Sequence, residues 1–584
     1  MLTCRAEPGM RGKMIMDLMK IPFSYPGSYM AISYCPENYR GEKEAGGIYL
    51  RSLHTAIITP FICRLSFVNG NDQELQYEYE EVEDELVFMI PHGSLRACYA
   101  DDKTLVFHLE AETDIVLDFL AERSVFNYAF PVEINHDQKA IIIKSFKNGR
   151  NYLLYAPECT AEIHEDWDGQ SSHYCRIRIK RGTGDGNFYI EELDNDWDGT
   201  VKAIHYENVR NRVRNRFQLF YDDMPSVPPK YESARKQAAY VNWESYIRPC
   251  GYLHRTAMLM SKNWMSKVWS WDHCFNAIAL SYGRPQEAWD QFMLMFDYQD
   301  SDGRLPDSVG DSVLDWNYCK PPIHGWALSR MMKHMTLIKE QQEEAYDRLS
   351  KWTDWWLTFR DQDHNGLCEY THGNDSGWDN STAFKELPPV ESPDLQAFLV
   401  IQMEELSLLA GRLGDTDSQR SWIEKSEKLL DQMLQSGFDA DGYPVVRRAY
   451  TGEVVQNRSL LPYVSIILGK KLPEKSQKAI VEVLKGQFLT EWGLATEAPD
   501  SEDYVADGYW RGPIWAPSTM LILDGLHQCG EDALVKDIAE RFAEMFMKSG
   551  SAENYDAKTG KGLRDQAYTW TSSAFLVMSH EYLT

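Results

Sequence analysis

The sequence predicts a mainly α protein, an (α/α)6 barrel preceded by an antiparallel β-sandwich. Three observations carry that expectation. The apolar period is close to two over residues 1–222, it changes to helical spacing beyond a Pro-rich linker, and the helical part holds twelve stretches, enough for six hairpins. The expected domains are 1–222 for the sandwich, 223–252 for the linker and first helix, and 253–584 for the barrel. A length of 584 residues accommodates this division.

In the first part, Leu75, Tyr77 and Tyr79 alternate with Glu74, Glu78 and Glu80, and Arg176-Ile177-Arg178-Ile179-Lys180 repeats the pattern. Leu105-Val106-Phe107 and Ile141-Ile142-Ile143 are short β-branched or aromatic runs. Turn signals at Asn69-Gly70-Asn71, across Gly182–Gly186 and at Asp198-Gly199 separate such runs. The acidic run Glu80–Glu85 reads as the solvated face of a strand or its turn. Met224-Pro225-Ser226-Val227-Pro228-Pro229 can be neither helix interior nor central strand, and marks the linker.

Helical spacing follows near 230–247, 271–283, 285–299, 321–336, 338–360, 392–413, 416–437, 455–469, 474–487, 512–529, 531–549 and 568–583. Ser392-Pro393 supplies an N-cap and a Pro at the first helical position, and Gly414 a stop. Trp422, Leu429, Leu430 and Met433 hold the apolar face of the next helix. In a six-hairpin barrel the even-numbered helices form the inner ring, and their N-termini open on one end. Segments leading into even helices should therefore carry the site.

Composition narrows the function. Lys and Arg number 60 against 88 Asp and Glu, a net charge of −28, which disfavours nucleic acid and anionic lipid as partners. The first twenty residues lack the apolar core of a secretory signal, and no run of ~18 apolar residues occurs, so no membrane span is expected. The 11 cysteines are scattered without a CxxC, which suggests neither a disulfide framework nor a thiolate zinc site and points to a reducing cytoplasm. Eighteen Trp and 32 Tyr fit a protein that stacks a flat ligand, although most such rings serve packing.

The segments before the even helices are the unusual ones. They are Val268-Trp269-Ser270-Trp271-Asp272; Gly303–Ser308 with Asn317-Tyr318-Cys319-Lys320-Pro321; Asn374–Ser381; Gly508-Tyr509-Trp510-Arg511-Gly512-Pro513-Ile514-Trp515; and Ala552-Glu553-Asn554-Tyr555-Asp556. Each sets Trp or Tyr beside a carboxylate or a cation, whereas the opposite connections, such as Gly283-Arg284-Pro285, are short turns. Aromatic faces for sugar C–H surfaces, with polar groups for hydroxyls, describe a carbohydrate pocket. Two carboxyls across it can hydrolyse a glycosidic bond. Asp379, between Trp378 and Asn380, suits the acid and Glu553 the base. Taken singly each has a plainer reading: Asp379 as a turn residue, Glu553 as a first-turn carboxylate, Asp272 as an N-cap, and the indoles as core.

Trp271-Asp272, Gly377-Trp378-Asp379-Asn380-Ser381, Tyr509-Trp510-Arg511-Gly512, Glu553-Asn554-Tyr555 and Tyr568-Thr569-Trp570-Thr571 resemble, in order, the motif set of glycoside hydrolase family 63, which shares a clan with the trehalases. The resemblance covers about residues 250–584. It implies an (α/α)6 barrel cleaving terminal α-glucosidic bonds with inversion, with Asp379 as general acid and Glu553 as general base. It implies substrate contacts from Trp271, Asp272, Trp378, Trp510, Arg511, Lys320 and Trp570. Trp378 departs from the Met or Leu common in the family and matches the trehalases, but no trehalase-type signature accompanies it. An inverting pair should stand ~6.5–9.5 Å apart.

Asp361, Asp363 and Asn365 offer alternating oxygen ligands, Leu367 a carbonyl and Glu369 a closing carboxylate, so this segment reads as a structural calcium loop or as a polar turn. Catalysis requires no cofactor. The expected function is an inverting exo-α-glucosidase acting on small glucosides or oligosaccharides. The alternatives are a trehalase-like enzyme, a glucosylglycerate or mannosylglycerate hydrolase, and an inactive sugar-binding relative. An acidic aglycone would call for an additional arginine, for which Arg304 is the motif-adjacent candidate. The expected partner is a small carbohydrate.

Overall fold

The computed structural model describes residues 16–38, 45–55, 59–119, 127–135, 140–182, 184, 186–386 and 388–584. Cys4 and the start of the chain, and Thr183 and Asp185 of the turn expected at Gly182–Gly186, lie outside the described residues. The chain forms two compact units. The first holds the described residues up to Asp222 together with Trp243–Cys250 and Lys262–Ser266. The second holds Asp223–Asn242, Gly251–Ser261 and Lys267–Thr584. The sequence boundaries at 222 and 252 did not anticipate the two short returns. Their basis is polar: Lys262 is buried and its ammonium donates to Ser24 Oγ and the Tyr25 carbonyl, each at 3.0 Å, while Arg51 donates to the carbonyls of Lys262 and Asn263.

The first unit is a pair of antiparallel sheets. One is ordered β1 (Met30–Cys35), β2 (Gly47–Ser52), β3 (Phe61–Val68), β8 (Asp114–Asp118), β13 (Cys175–Arg181) and β12 (Cys159–Glu165). The other is ordered β4 (Glu78–Val82), β5 (Glu85–Ile90), β6 (Gly93–Tyr99), β7 (Thr104–Leu109), β14 (Asn187–Leu193), β11 (Arg150–Tyr155), β10 (Ala140–Ser145) and β9 (Ala129–Asn135). Period two does its work on β13, where Ile177 and Ile179 are buried and Arg176 is exposed. Phe67 of β3 and Phe88 of β5 meet between the sheets with ring centroids 5.5 Å apart.

Two expectations for this unit need correction. Residues 206–223 are not strand but a helix, α1 (Tyr206–Asp223), which buries Val209, Val213, Phe217 and Phe220 at helical spacing. The acidic run Glu80–Glu85 is not a solvated face. Asp84 and Glu85 are buried, and α1 docks on them: Arg210 reaches Asp84 at 3.1 Å and Glu85 at 3.0 Å, Arg214 reaches Asp84 at 2.7 Å, and the Tyr206 hydroxyl donates to Glu85. The charges on strand and helix solve one another, which neither segment reveals alone.

In the second unit all twelve helical stretches appear. They are α2 (Glu232–Glu244), α3 (Asp272–Leu280), α4 (Pro285–Met293), α5 (His324–Met331), α6 (Lys339–Phe359), α7 (Pro393–Leu413), α8 (Thr416–Ser436), a 3-10 coil over Leu461–Lys471, α9 (Glu474–Val483), α10 (Ala516–Cys529), α11 (Asp532–Ser549) and α12 (Thr569–Leu583). The even-numbered members of this series pack in cyclic order, α3 on α5, α5 on α7, α7 on the 461–471 coil, that coil on α10, α10 on α12, and α12 back on α3. They form the inner ring of an (α/α)6 barrel. All of α3 is buried, as is α12 from Thr569 to Ser579, whereas outer α8 buries only Trp422, Ser426, Leu429 and Met433. The eighth stretch is tighter than an α-helix and breaks at Gly469, where φ is 55°. Among the described residues no helix is long and apolar enough to cross a membrane.

Candidate active site

The segments singled out by sequence do lie at the N-terminal ends of inner helices. Trp271 holds the N-cap position of α3, so Asp272 is the first residue of the helix and not its cap. Asp272 is buried, accepts a hydrogen bond from the Tyr568 hydroxyl at 3.2 Å, and has its carboxyl pushed up to about 8, by burial first, against the pull of Lys320.

Lys320 precedes α5 and organises the acidic side of the site. Its ammonium lies 3.1 Å from Asp307 Oδ1 and 3.9 Å from Asp379 Oδ1, and it donates to the Asn374 carbonyl at 3.0 Å. Burial works against its charge, but Asp307, Asp379 and Asp272 together hold its pKa above the ordinary lysine value. Its backbone is set by Asp375, which accepts from the Cys319 N–H and pairs with Arg360 at 2.8 Å. A three-stranded patch of Val268–Trp269, Ser308–Val309 and Leu314–Asp315 fixes Asp307.

Asp379 ends a tight turn. Gly377 has φ of 75°, and a Cβ there would collide with the indole of Trp271, so only glycine lets the two segments touch. Asn380 then ties this loop to the next: its carboxamide accepts from the Trp510 N–H and donates to the Gly508 carbonyl, each at 3.0 Å, and its carbonyl accepts from Arg511 Nε at 2.6 Å. Burial raises the Asp379 carboxyl, Lys320 opposes that shift, and Asp307 adds to it. About a third of the side chain remains exposed.

Glu553 and Asp565 stand at the two ends of a hairpin built from Asn554–Tyr555 and Gly562–Leu563. The Glu553 N–H donates to the Asp565 carbonyl at 2.7 Å, and the Asp565 N–H reaches Glu553 Oε2 at 3.4 Å. Glu553 is buried, and its carboxyl is pushed up to about 7 by burial and by the charge of Asp565; the Asp565 N–H, the Tyr509 hydroxyl and Arg564 oppose the shift. Tyr509 is the joint of the site. Its phenol is raised by burial and then by Glu553, Asp379 and Asp272, so one hydroxyl feels all three carboxyls. Its φ is 63°, a left-handed conformation that a tyrosine rarely takes, held by Trp515 Nε1 donating to its carbonyl at 2.8 Å.

The tryptophans form a slab beneath these groups. Trp510 stacks on Trp515 at 4.0 Å and meets Trp378 at 4.6 Å, while Trp570 stands edge-on to Trp271 at 5.4 Å and to Trp515 at 5.6 Å. All five are buried, so they shape and dry the floor more than they offer open faces.

The structure thus brings Trp271, Asp272, Lys320, Trp378, Asp379, Trp510, Arg511, Glu553 and Trp570 into one network of contacts and charges. It adds Tyr509, Asp307 and Asp565, which sequence reasoning had not assigned. Tyr509 and Asp307 were visible inside motif segments. Asp565 had no signal, because only the hairpin returns it to Glu553. Arg304 commits one terminal nitrogen, Nη2, to the carbonyls of Trp316 at 2.5 Å and Tyr318 at 2.9 Å.

The acidic loop lies apart, after α6. Asp361 accepts from the Gly366 N–H, Asn365 Oδ1 accepts from the Leu367 N–H at 2.8 Å, and Asp363 accepts from the Asn365 and Tyr450 N–H groups. Glu369, raised by burial, also feels Asp363, Glu391 and Asp361, so Glu391 at the approach to α7 joins the expected set. Asn365 Nδ2 donates to Glu391 at 2.6 Å, so the expected asparagine ligand is turned toward protein partners. The donor set is carboxylate oxygen, the chemistry a hard divalent cation requires.

Comparison with known proteins matches residues 265–571, more than half of the chain, to the mannosylglycerate hydrolase MGH1-like glycoside hydrolase domain. Mannosylglycerate hydrolase MGH1 of Selaginella moellendorffii is 21% identical over 393 residues, covering 53% of this chain and 79% of that one. The glucosylglycerate hydrolase of Mycolicibacterium hassiacum is 21% identical over 413 residues, covering 53% and 91%. Among solved structures, the family 63 mannosylglycerate hydrolase of Thermus thermophilus in complex with glucose superposes with a TM-score of 0.50 at 19% identity, covering 59% of this chain and 99% of that one. A bacterial glucoamylase complexed with acarbose gives a TM-score of 0.65 at 12% identity over 99% of this chain and 95% of its own, a likeness of fold. With its site segments in family order and this match, the chain belongs to the MGH1-like glycoside hydrolases of glycoside hydrolase family 63.

Proposed function

We propose that the protein removes a terminal α-linked hexose, glucose or mannose, from a small aglycone by hydrolysis with inversion. The observation that carries this reading is the convergence of Asp379 and Glu553, from loops far apart in sequence, on the Tyr509 phenol above a dry indole floor. In this reaction Asp379 gives its proton to the glycosidic oxygen as the bond to the anomeric carbon breaks. Glu553 takes a proton from the water that attacks the opposite face, and the sugar leaves as the β-anomer. Burial favours the protonated Asp379 that an acid must be, and a base near 7 suits work at neutral pH. Asp272, Lys320 and Arg511 hold the sugar's hydroxyls, and Trp271, Trp378, Trp510 and Trp570 shape the floor it rests on.

Relatives named for mannosylglycerate and glucosylglycerate support glycerate as the first aglycone to test. Arg511 suits a carboxylate there: it commits only Nε to protein among the described residues. A second reading, a neutral α-glucoside or trehalose, is favoured by three nearby cations already matched with acids, Lys385 with Asp503, Arg458 with Asp500 and Arg564 with Asp507, each at 2.8 Å. The test is an anomeric proton NMR time course on mannosylglycerate, glucosylglycerate, trehalose and the 1,2-, 1,3-, 1,4- and 1,6-linked glucose disaccharides, with Asp379→Asn as control. Initial β-anomer from one substrate, absent in the variant, supports the reading and names the aglycone. Initial α-anomer overturns the assigned roles, and no release from any substrate favours a sugar-binding protein.

We also propose that Asp361, Asp363, Glu369 and Glu391, with the Leu367 carbonyl, hold a structural calcium. Chelation by EGTA should lower Tm by several degrees, and calcium but not magnesium should restore it. An unchanged Tm would sink this assignment. The scattered cysteines fit a reducing cytoplasm as the place of action.

A further inference from the structure

Directly behind the acidic side of the active site, three metal-binding side chains meet where the proposed reaction has no use for them. His273 and Cys274 on the first turn of α3 and His324, the first residue of α5, are fully buried. One ligand atom from each lies within 4.8 Å of the other two. Cys274 Sγ stands 3.8 Å from His273 Nε2, and the two imidazole centroids are 5.3 Å apart.

The hydrogen bonding around this trio does not close. Among the described residues neither nitrogen of His324 has a hydrogen-bond partner, although its ring faces the Ser270 carbonyl, and the buried Ser270 hydroxyl is also without one. His273 has the opposite problem. Its Nδ1 stands 3.0 Å from the Trp269 carbonyl, and the Phe292 carbonyl faces the ring as well. A neutral imidazole has one N–H, so it satisfies one of these carbonyls and turns a lone pair toward the other. Burial of His273 disfavours the imidazolium that could satisfy both. Orphaned polar atoms in such a place carry a full desolvation cost.

A bound cation gives His324 a partner and takes up the His273 lone pair. With Nδ1–H on the Trp269 carbonyl, the Nε2 lone pair is oriented toward Cys274, the arrangement in which a histidine ligand is held by its second nitrogen. We propose that His273, Cys274 and His324 form a structural zinc site that clamps α3 to α5, with the Ser270 hydroxyl at hand as a fourth donor. Two imidazoles and a thiol suit zinc, not the hard cation of the acidic loop, and binding releases the thiol proton to solvent as the Zn–S bond forms. The three side chains are fully buried, so the role of the site is to fix the helix turn that carries Asp272. The inference does not depend on which glycoside is cleaved.

The experiment is metal analysis of the full chain, expressed with zinc in the medium, purified under a thiol reductant and desalted into metal-free buffer without chelator. Roughly one zinc per chain is expected in the native protein, and less than about a tenth of that in Cys274→Ser and in His324→Gln. Protein produced with cobalt in place of zinc should show a thiolate-to-cobalt charge-transfer band, absent in Cys274→Ser. This second reading stands on the native protein if the variants fail to fold. Native protein with neither zinc nor a cobalt band overturns the proposal, leaving an internal water to satisfy His324, as does zinc that both folded variants retain.

Discussion

At the scale of single residues, the site is a set of carboxyls held above their ordinary pKa by burial and by one another. Glu553 is the sharpest case. As the proposed base it must be ionised, so the acid limb of kcat/KM should fall near pH 7. Asp565→Asn removes the neighbouring charge, lowers the Glu553 pKa, and should move that limb to lower pH. A limb that stays in place would separate Glu553 from the pH dependence. The same shift has a stability sign. A carboxyl whose folded pKa is about 7 and whose unfolded pKa is near 4.5 binds its proton more tightly in the folded state. Its contribution is fully present below about pH 4.5 and lost as pH rises through 7. Glu553→Gln, inactive as a hydrolase, should therefore be more stable than the native protein by about 1–3 kcal/mol at pH 8 and nearly equal to it at pH 4.5. Thermal unfolding of both proteins at the two pH values checks this, and an equal gap at both would sink it.

At the scale of elements, each catalytic group rides on a segment whose backbone is over-determined. Gly377 is the clearest: its left-handed φ and the Trp271 indole against it both exclude a side chain. Gly377→Ala should cost about 1–3 kcal/mol and lower kcat by tenfold or more, because relief of the collision displaces Trp271 or Asp379. A fully active, equally stable variant would show that the turn tolerates the shift. Elements also mark where sequence reading succeeds. Helix period, Pro393 and Gly414 announced the helices, since an inner helix is apolar all round and an outer one on a single face. The site segments were legible because their aromatic and acidic residues break that pattern. Illegible were α1, whose arginines make sense only against Asp84 and Glu85, and Asp565, whose meaning comes from a hairpin partner.

At the scale of the whole barrel, the ring must be held at the end away from the site as well. Arg330 of α5 sits buried between Asp524 of α10, 2.7 Å away, and Glu581 of α12, with Trp326 Nε1 donating to Asp524 at 2.7 Å. Removing the guanidinium alone strands Asp524 in the core, so Arg330→Met should destabilise the helical unit by about 3–5 kcal/mol. The paired variant Arg330→Met with Asp524→Leu should recover much of that loss, as urea unfolding followed by tryptophan fluorescence can measure. No recovery would mean that the arginine acts through packing.

Ring closure also orders events in time. The wall that α12 completes against α3 joins the last of the barrel helices to emerge from the ribosome to one of the first. Glu553 and Trp570 arrive with it, so nearly the whole helical unit must be translated before an assembled site can exist. Until then α3 and α10 lack the apolar cover that α12 will give them. A barrel that stops at the end of α11 would thus lack both Glu553 and the wall against α3.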